Sequence, residues 1–211
     1  MFIAALIFGC NNKSKNNDFE KDVFIQIIPY IVDSVSYDPR LSLYSSPYPL
    51  FPPAGTEISE KEKIRLTEQW KLKIDSIKND TSYIFLAINP LIKFSTDSLE
   101  KKLTKHTNRK ILKINSNEKL TLDINSLKLN KHFKFKHESL FSKTTNVWHK
   151  KYDFVFSGFF NVSRIVFDES KSYGILSTSY SCGDRCGQGY IYIKKEGDRW
   201  KIDKIEETWV S

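Results

Sequence analysis

The sequence predicts an α+β fold, with N-terminal helices followed by an antiparallel meander sheet that can curve into a cone. Three observations carry this reading. Apolar residues recur at helical spacing in the first part of the chain; apolar and polar residues alternate from about residue 110 onward; and short turn-forming breaks separate the alternating runs. In the first helix Phe19, Val23, Ile27 and Ile31 fall on one face, and Pro29 is expected to break or kink it because it cannot donate to the backbone four residues back. Residues 36–55 hold five of the seven prolines and read as an irregular loop, with Leu50 and Phe51 packed on the surface. Ser59 and Glu62 then form a capping box, and Leu66, Trp70, Ile74 and Ile77 line one helical face that ends at Asn79-Asp80. SYIFLAINPLIKF reads as a buried strand interrupted at Pro90. Asp97 and Glu100 open a short basic helix over roughly 97–107.

Strand patterns follow. KILKI, KLTLDI and HFKFKH alternate, and in the last of these Phe133 and Phe135 point away from Lys134 and Lys136. FVFSGFFNVSRIVF, YGILSTSY, GYIYIKK and RWKIDKIEETW complete a meander, with Gly197 in the EGD turn free to take positive φ.

With 211 residues, 40% hydrophobic and 14% aromatic, the chain can bury a sizeable core, and its 15 Phe, 10 Tyr and 4 Trp exclude a disordered class. The formal charge of +8 is uneven. Residues 98–151 carry 14 Lys/Arg against 4 Asp/Glu, while the stretches on either side are each near neutral. Lys101, Lys102, Lys105, Arg109, Lys110, Lys134 and Lys136 are the candidate binding patch, suited to anionic lipid or acidic glycan, or else simply a solvated lysine-rich face.

The N-terminus sets the compartment. Phe2 to Phe8 is an uncharged apolar run, too short for the roughly 20 residues that span a bilayer, and it ends in Gly9-Cys10 before a polar stretch. The organisation expected is a signal peptide over 1–9, a flexible tether over 10–17 beginning at Cys10, and a single α+β domain over 18–211. Ile7-Phe8-Gly9-Cys10 resembles a bacterial lipobox, which implies that Cys10 is lipidated and anchors the chain to a membrane. The helix-then-meander order resembles cystatin-like and nuclear-transport-factor-2-like folds. The Lys/Asn/Ile-rich composition, the lipobox and the CG-x-x-CG-x-G stretch resemble lipoproteins of Bacteroidetes-type bacteria. That resemblance implies a cell-envelope location, the outer membrane before the inner, and no particular activity.

In that oxidising compartment the remaining cysteines, Cys182 and Cys186, read as a disulfide staple at a glycine-rich hairpin tip. The alternatives are inert thiols, a redox pair, or half of a metal site. Redox cysteines need a helix N-terminus or a close cation, and strand-like sequence flanks these. Zinc wants four ligands, and His106, His132, His137 and His149 supply no matching close pair. No metal or cofactor is expected, and no nucleic-acid partner.

Catalytic motifs (a nucleophile elbow, a zincin helix, a P-loop) do not occur in the sequence. Ser177, Ser179 and Ser181 share a strand face and read as its polar side. Tyr180, Tyr190, Tyr192, Trp200 and Trp209 are either core or the lining of a glycan or small-ligand surface. The expected function is therefore a non-catalytic, lipid-anchored envelope protein, a binding or assembly module whose partner is anionic lipid, an acidic glycan or an envelope protein. The alternative is an enzyme or small-ligand binder with a pocket in a curved sheet.

Overall fold

The computed structural model describes residues 12–48, 58–95, 98–113, 119–130, 132–142, 145–183 and 186–210. The signal segment, Cys10, Leu50, Phe51 and Asp97 lie outside the described residues. Helix α1 (Asn12–Val35) starts well before the position expected for it. The flexible tether predicted over 10–17 is thereby corrected from Asn12 onward. Asparagine-rich sequence has little helix preference of its own. Tertiary contacts supply the order: Arg164 Nη2 donates to Asn17 Oδ1 at 3.0 Å, and Lys171 Nζ donates to Asn16 Oδ1 at 3.0 Å.

Pro29 does not end α1 either. The carbonyl that Pro29 leaves without a partner belongs to Ile25, an exposed residue, so water can donate to it. Meanwhile Phe24, Ile27, Ile28 and Ile31 are fully buried around the proline. Burying each contributes about 1.5–3 kcal/mol, which together exceeds the roughly 3 kcal/mol cost of an interior proline.

Helix α2 (Pro39–Ser42) is capped by Asp38, and Arg40 joins Asp38 to Asp80. Helix α3 (Glu60–Lys78) starts at the predicted cap: the Glu62 N–H donates to Ser59 Oγ at 3.3 Å, the Glu62 carboxylate accepts from Arg65 at 2.8 Å, and Asn79 closes the other end. Ile74 and Ile77 are buried, while the half-buried Trp70 donates its indole N–H to the Tyr44 carbonyl at 2.6 Å. Pro90 separates β1 (Ile84–Ile88) from β2 (Leu91–Ile92), again as expected. Helix α4 (Leu99–Thr107) follows Ser98, whose side chain makes no capping bond, and closes on Asn108 at φ 55°.

The remaining strands are β3 (Leu120–Thr121), β4 (Phe133–His137), β5 (Val155–Val162), β6 (Val166–Phe167), β7 (Tyr173–Ser181), β8 (Cys186–Glu196) and β9 (Arg199–Val210). The expected KILKI strand reduces to one bridge, Ile111 with Asp168, and KLTLDI contributes only β3, which pairs with β2. Among the described residues the main sheet runs β4-β1-β5-β7-β8-β9, with β6 added on β7.

The α+β class and the helix-then-strand order are as predicted, but the sheet is mixed. The β7-β8-β9 part is an antiparallel meander, with Gly197 at φ 60° in its last turn. Strand β1, however, pairs in parallel with both β4 and β5. A parallel pair requires a crossover, which the chain between β1 and β4 makes; after β4, Phe141, Val147 and Trp148 pack on the outer side of β1 and β5 before β5 begins. Alternation marks a strand but not its direction, so this part of the topology was not legible in the pattern.

A bulge in β5 sets which residues face which side. Phe85 and Leu86 are opposite Phe156 and Gly158, so Ser157 is the extra residue. The bulge lets Phe156 and Phe159 both face one side while Val155 and Phe160 both face the other. Gly158 takes φ 152° there, and a Cβ on it would lie 2.3 Å from the Ser181 carbonyl oxygen.

The inner face of the sheet carries the main core. Leu86, Ile88, Phe160, Leu176, Ile191, Ile193 and Trp200 pack with α1. A buried ion pair ties α1 to the β5–β6 connection. Arg164 donates to Glu20 through Nε (2.8 Å) and Nη2 (2.6 Å), and the Ile165 N–H donates to Glu20 Oε1 at 2.8 Å. Burial pushes the Glu20 carboxyl above the usual carboxylate range, opposed by the bonds and charge of Arg164.

Candidate functional site

Two separate covers protect the outer face. Over β1 and β5, the segment after β4 lays down aromatic side chains: Phe141 stacks on Phe156 with centroids 4.5 Å apart, and Trp148 stacks on Phe156 at 5.5 Å. Small Ala87 is buried with Phe141 and Val147. Over β6, β7 and β8, helix α4 buries Leu99 and Leu103 against Val166, Ile175, Tyr190 and Tyr192.

Between these covers the strand register leaves a polar strip. Asn161 lies opposite Ser179, and Ser179 opposite Gln188, so the three form a row across β5, β7 and β8. Ser177 lies two residues along β7 on the same face, next to Tyr190 of β8. The strip is the floor of a cleft of about 350 Å³, walled by Asn89, Lys93 and Phe94 on one side and Glu138 among its other lining residues. Asn89 donates its amide N–H to Glu138 Oε1 at 2.7 Å and accepts the Leu91 N–H at 2.9 Å, which orients both walls. Behind Phe94 the Arg164 guanidinium lies 4.9 Å from the ring centroid, so the buried ion pair of α1 also backs this wall.

Of the cleft residues, sequence reading singled out Ser177 and Ser179 as a polar strand face. Asn89, Glu138, Asn161 and Gln188 were missed, because only the pairing register brings them beside those serines. A trace was present in the sequence: Asn161 interrupts an otherwise apolar run, FFNV, at a position where a core strand would continue.

Of the two readings of the aromatics, core packing is the one that Tyr180, Tyr190, Tyr192 and Trp200 follow. Tyr180 and Trp200 are on the inner face, Tyr190 and Tyr192 are beneath α4, and the Trp209 side chain lies outside what is described. Tyr180 also closes a buried network: its hydroxyl donates to the Ser157 carbonyl at 2.8 Å, and Ser157 Oγ donates to the Tyr37 carbonyl at 2.7 Å.

The candidate basic patch divides into separate places. Lys101, Lys102 and Lys105 are on α4, and Arg109 and Lys110 follow it. Lys134 and Lys136 are on the edge strand β4, with β1 and β5 between them and β7. Their ammonium groups sit 3.4 Å from the Tyr83 centroid and 4.5 Å from the Phe85 centroid respectively. Arg109 donates to Asp168 at 3.3 Å and to Ser170 Oγ at 3.0 Å, and lies 4.8 Å from the Tyr173 ring centroid.

Lys102 is tied to β9, donating to Glu206 Oε1 at 2.9 Å. One turn on, His106 Nε2 is 2.8 Å from Asp203 Oδ2. Burial acts to raise the Asp203 carboxyl, but bonds from His106 and Lys194 hold it below its usual value.

Bonds from Lys102 and Lys204 lower the Glu206 carboxyl to about 2. A carboxyl depressed in the folded chain contributes stability that is present above its ordinary 4.5 and lost as pH falls from there through about 2. An NMR titration of the Glu206 side-chain carbon should therefore give a midpoint at about 2, moving towards 4.5 in Lys102→Met. An unmoved midpoint would remove Lys102 as the cause.

The β7–β8 hairpin places the cysteines at its tip. Ser181 pairs with Cys186, and Cys182 follows directly. The Tyr37 hydroxyl donates to Cys182 Sγ at 3.3 Å, and a Cβ on Gly183 would lie 3.7 Å from the Trp148 ring. The Cys186 side chain and Cys10 lie outside what is described.

Among the described residues no group of His, Cys, Asp or Glu is arranged to hold a metal ion, and no helix is long and apolar enough to cross a membrane. No protein-family model, curated protein or solved structure matches this chain.

Proposed function

We propose that this chain is a non-catalytic, lipid-anchored protein of the bacterial cell envelope whose outer-face cleft is a ligand-recognition site. The observation that carries the reading is the polar strip left open between two apolar covers, with Asn161, Ser179 and Gln188 in one row. Binding is favoured over catalysis by the carboxylates available there. Glu138 is the one carboxylate among the described lining residues, and it is engaged by Asn89. General acid–base cleavage of a glycosidic bond uses two carboxylates. The inner face holds α1, with Phe24, Ile27 and Ile28 at 0% exposure, and so presents packed side chains where a pocket in a curved sheet would lie.

The anchor reading is supported by sequence and fold together. One residue, Asn11, separates Cys10 from the first helical residue. A diacylglyceryl group on Cys10 would hold the N-terminal end of α1 close to the membrane. That same end carries the β6–β7 turn through the Lys171–Asn16 bond, and the turn in turn holds Lys110 and Arg109. Lys110 would then face anionic headgroups, contributing about 1 kcal/mol near such a surface, while Arg109 is already engaged by Asp168 and Ser170.

The test is the intact mass of the mature protein recovered from its host's membranes, before and after reduction and alkylation. The expected result is an acylated chain beginning at Cys10, with Cys182 and Cys186 alkylated only after reduction. An unacylated chain retaining residues 1–9 overturns the anchor. Immediate alkylation of both thiols overturns the staple.

A further inference from the structure

The chemistry of the cleft specifies its ligand more narrowly. We infer that it takes an uncharged, polyhydroxylated ligand, that is, a neutral saccharide; this rests on the reading of the cleft as a recognition site. The lining is dominated by groups that both donate and accept. Asn161 and Gln188 carry amides, a group with both a carbonyl oxygen and an NH₂, and the hydroxyls of Ser177 and Ser179 donate and accept through a single oxygen, while the Asn89 amide holds Glu138 and the Leu91 N–H. Sugar hydroxyls have this same dual character. A phosphate, sulfate or carboxylate ligand only accepts, and so could use only the donor half of the amide and hydroxyl groups on this floor.

Charge points the same way. Lys93 and Glu138 are the charged residues among the described lining and are of opposite sign, so the cleft has no net charge to offset the desolvation of an ion. This separates it from the basic residues of α4 and β4, which belong to other surfaces of the molecule.

The dimensions also fit. Adjacent strands are about 4.8 Å apart, so the Asn161–Ser179–Gln188 row spans roughly 10 Å across three strands. The short serines keep the middle of the floor low while the two amides rise at either end. A pyranose chair can lie along this row with its equatorial hydroxyls directed to either side, and Phe94 offers an apolar surface at the wall for the ring's C–H face.

The probes are uncharged hexasaccharides (cello-, xylo-, malto- and chito-hexaose), with inorganic phosphate and a heparin-derived hexasaccharide as charged comparisons. Each is titrated calorimetrically into the full chain in detergent. The expected result is binding of at least one uncharged hexasaccharide, weakened about tenfold or more in Asn161→Ala and in Gln188→Ala. Circular dichroism and melting temperature establish that both variants are folded; Ser179→Ala is a second, less intrusive variant of the same row. Failure of every uncharged hexasaccharide to bind, or binding indifferent to all three substitutions, overturns the saccharide assignment. Phosphate or heparin binding that these substitutions abolish overturns the assignment but leaves the cleft as a recognition site. Hexasaccharide recovered shortened after incubation, read by mass, keeps the ligand class and overturns the non-catalytic reading.

Discussion

Arg164→Met is expected to destabilise the chain by about 3–5 kcal/mol, the range for removing one member of a buried ion pair. Arg164 is 1% exposed and Glu20 is 2% exposed. Removing the guanidinium leaves the Glu20 carboxylate buried without its cation, although the Ile165 N–H still donates to it. It also frees Asn17 and withdraws the cation from behind Phe94. The double variant Glu20→Leu/Arg164→Met is expected to recover a large part of the loss, because apolar replacement of both partners removes the uncompensated charge.

The penalty should also depend on pH. Burial already raises the Glu20 carboxyl in the folded chain, so the folded state holds its proton to higher pH than the unfolded state does. Such a group contributes stability below its ordinary value of 4.5 that is lost as pH rises through the folded-state value. Without Arg164 that value climbs further. The stability difference between Arg164→Met and the parent chain should therefore widen as pH rises above 4.5. Urea unfolding followed by tryptophan fluorescence at pH 5 and pH 8 measures both effects. A loss under about 1 kcal/mol, or one that does not change with pH, would show that the pair does not hold α1 to the sheet.

Gly158→Ala is expected to cost about 3 kcal/mol, combining an unfavourable backbone conformation with a steric clash. The added methyl would sit 2.3 Å from the Ser181 carbonyl oxygen and 3.0 Å from the Tyr180 ring, against backbone that cannot step aside without parting β5 from β7. The consequence reaches beyond stability. Gly158 belongs to the bulge that restores alternation, so disturbing it displaces Phe159, Phe160 and Asn161 from their assigned faces. Hydrogen exchange should show lost protection in β5 and β7 ahead of β8 and β9. Gly197→Ala is the control: its φ of 60° also favours glycine, but nothing lies within 4 Å of the added carbon. A cost of about 1 kcal/mol is expected there. Equal losses at the two sites would mean that backbone conformation, not the contact with Ser181, sets the effect.

What could be read in advance follows the range of the interactions involved. Helix α3 was legible to its ends because Ser59 and Asn79 act within a turn of the backbone they satisfy. The strands β5, β7, β8 and β9 were legible because alternation records burial on one face, and the last turn because Gly197 is a local requirement. Helix α1 was legible only in its middle. Asparagines 12, 16 and 17 look like linker, and Pro29 like a stop, until Arg164 and Lys171, more than 140 residues away, and the burial of Phe24 through Ile31 are taken into account.

The candidate cleft shows the same division. Residue types told us that Ser177 and Ser179 form a polar face, and they told us where charge concentrates. They could not place Asn161 and Gln188 in one row with Ser179, nor separate Lys134 and Lys136 from the lysines of α4. Those relations depend on register and on the parallel pairing of β1. The α+β class, helix α3 and the polar and apolar faces of the later strands were set by short-range backbone and hydrophobic preferences, and so were legible in the residues alone. Tertiary structure alone decided which faces meet, where the covers end and what the open strip between them contains, because strand direction and pairing are settled by contacts between distant residues.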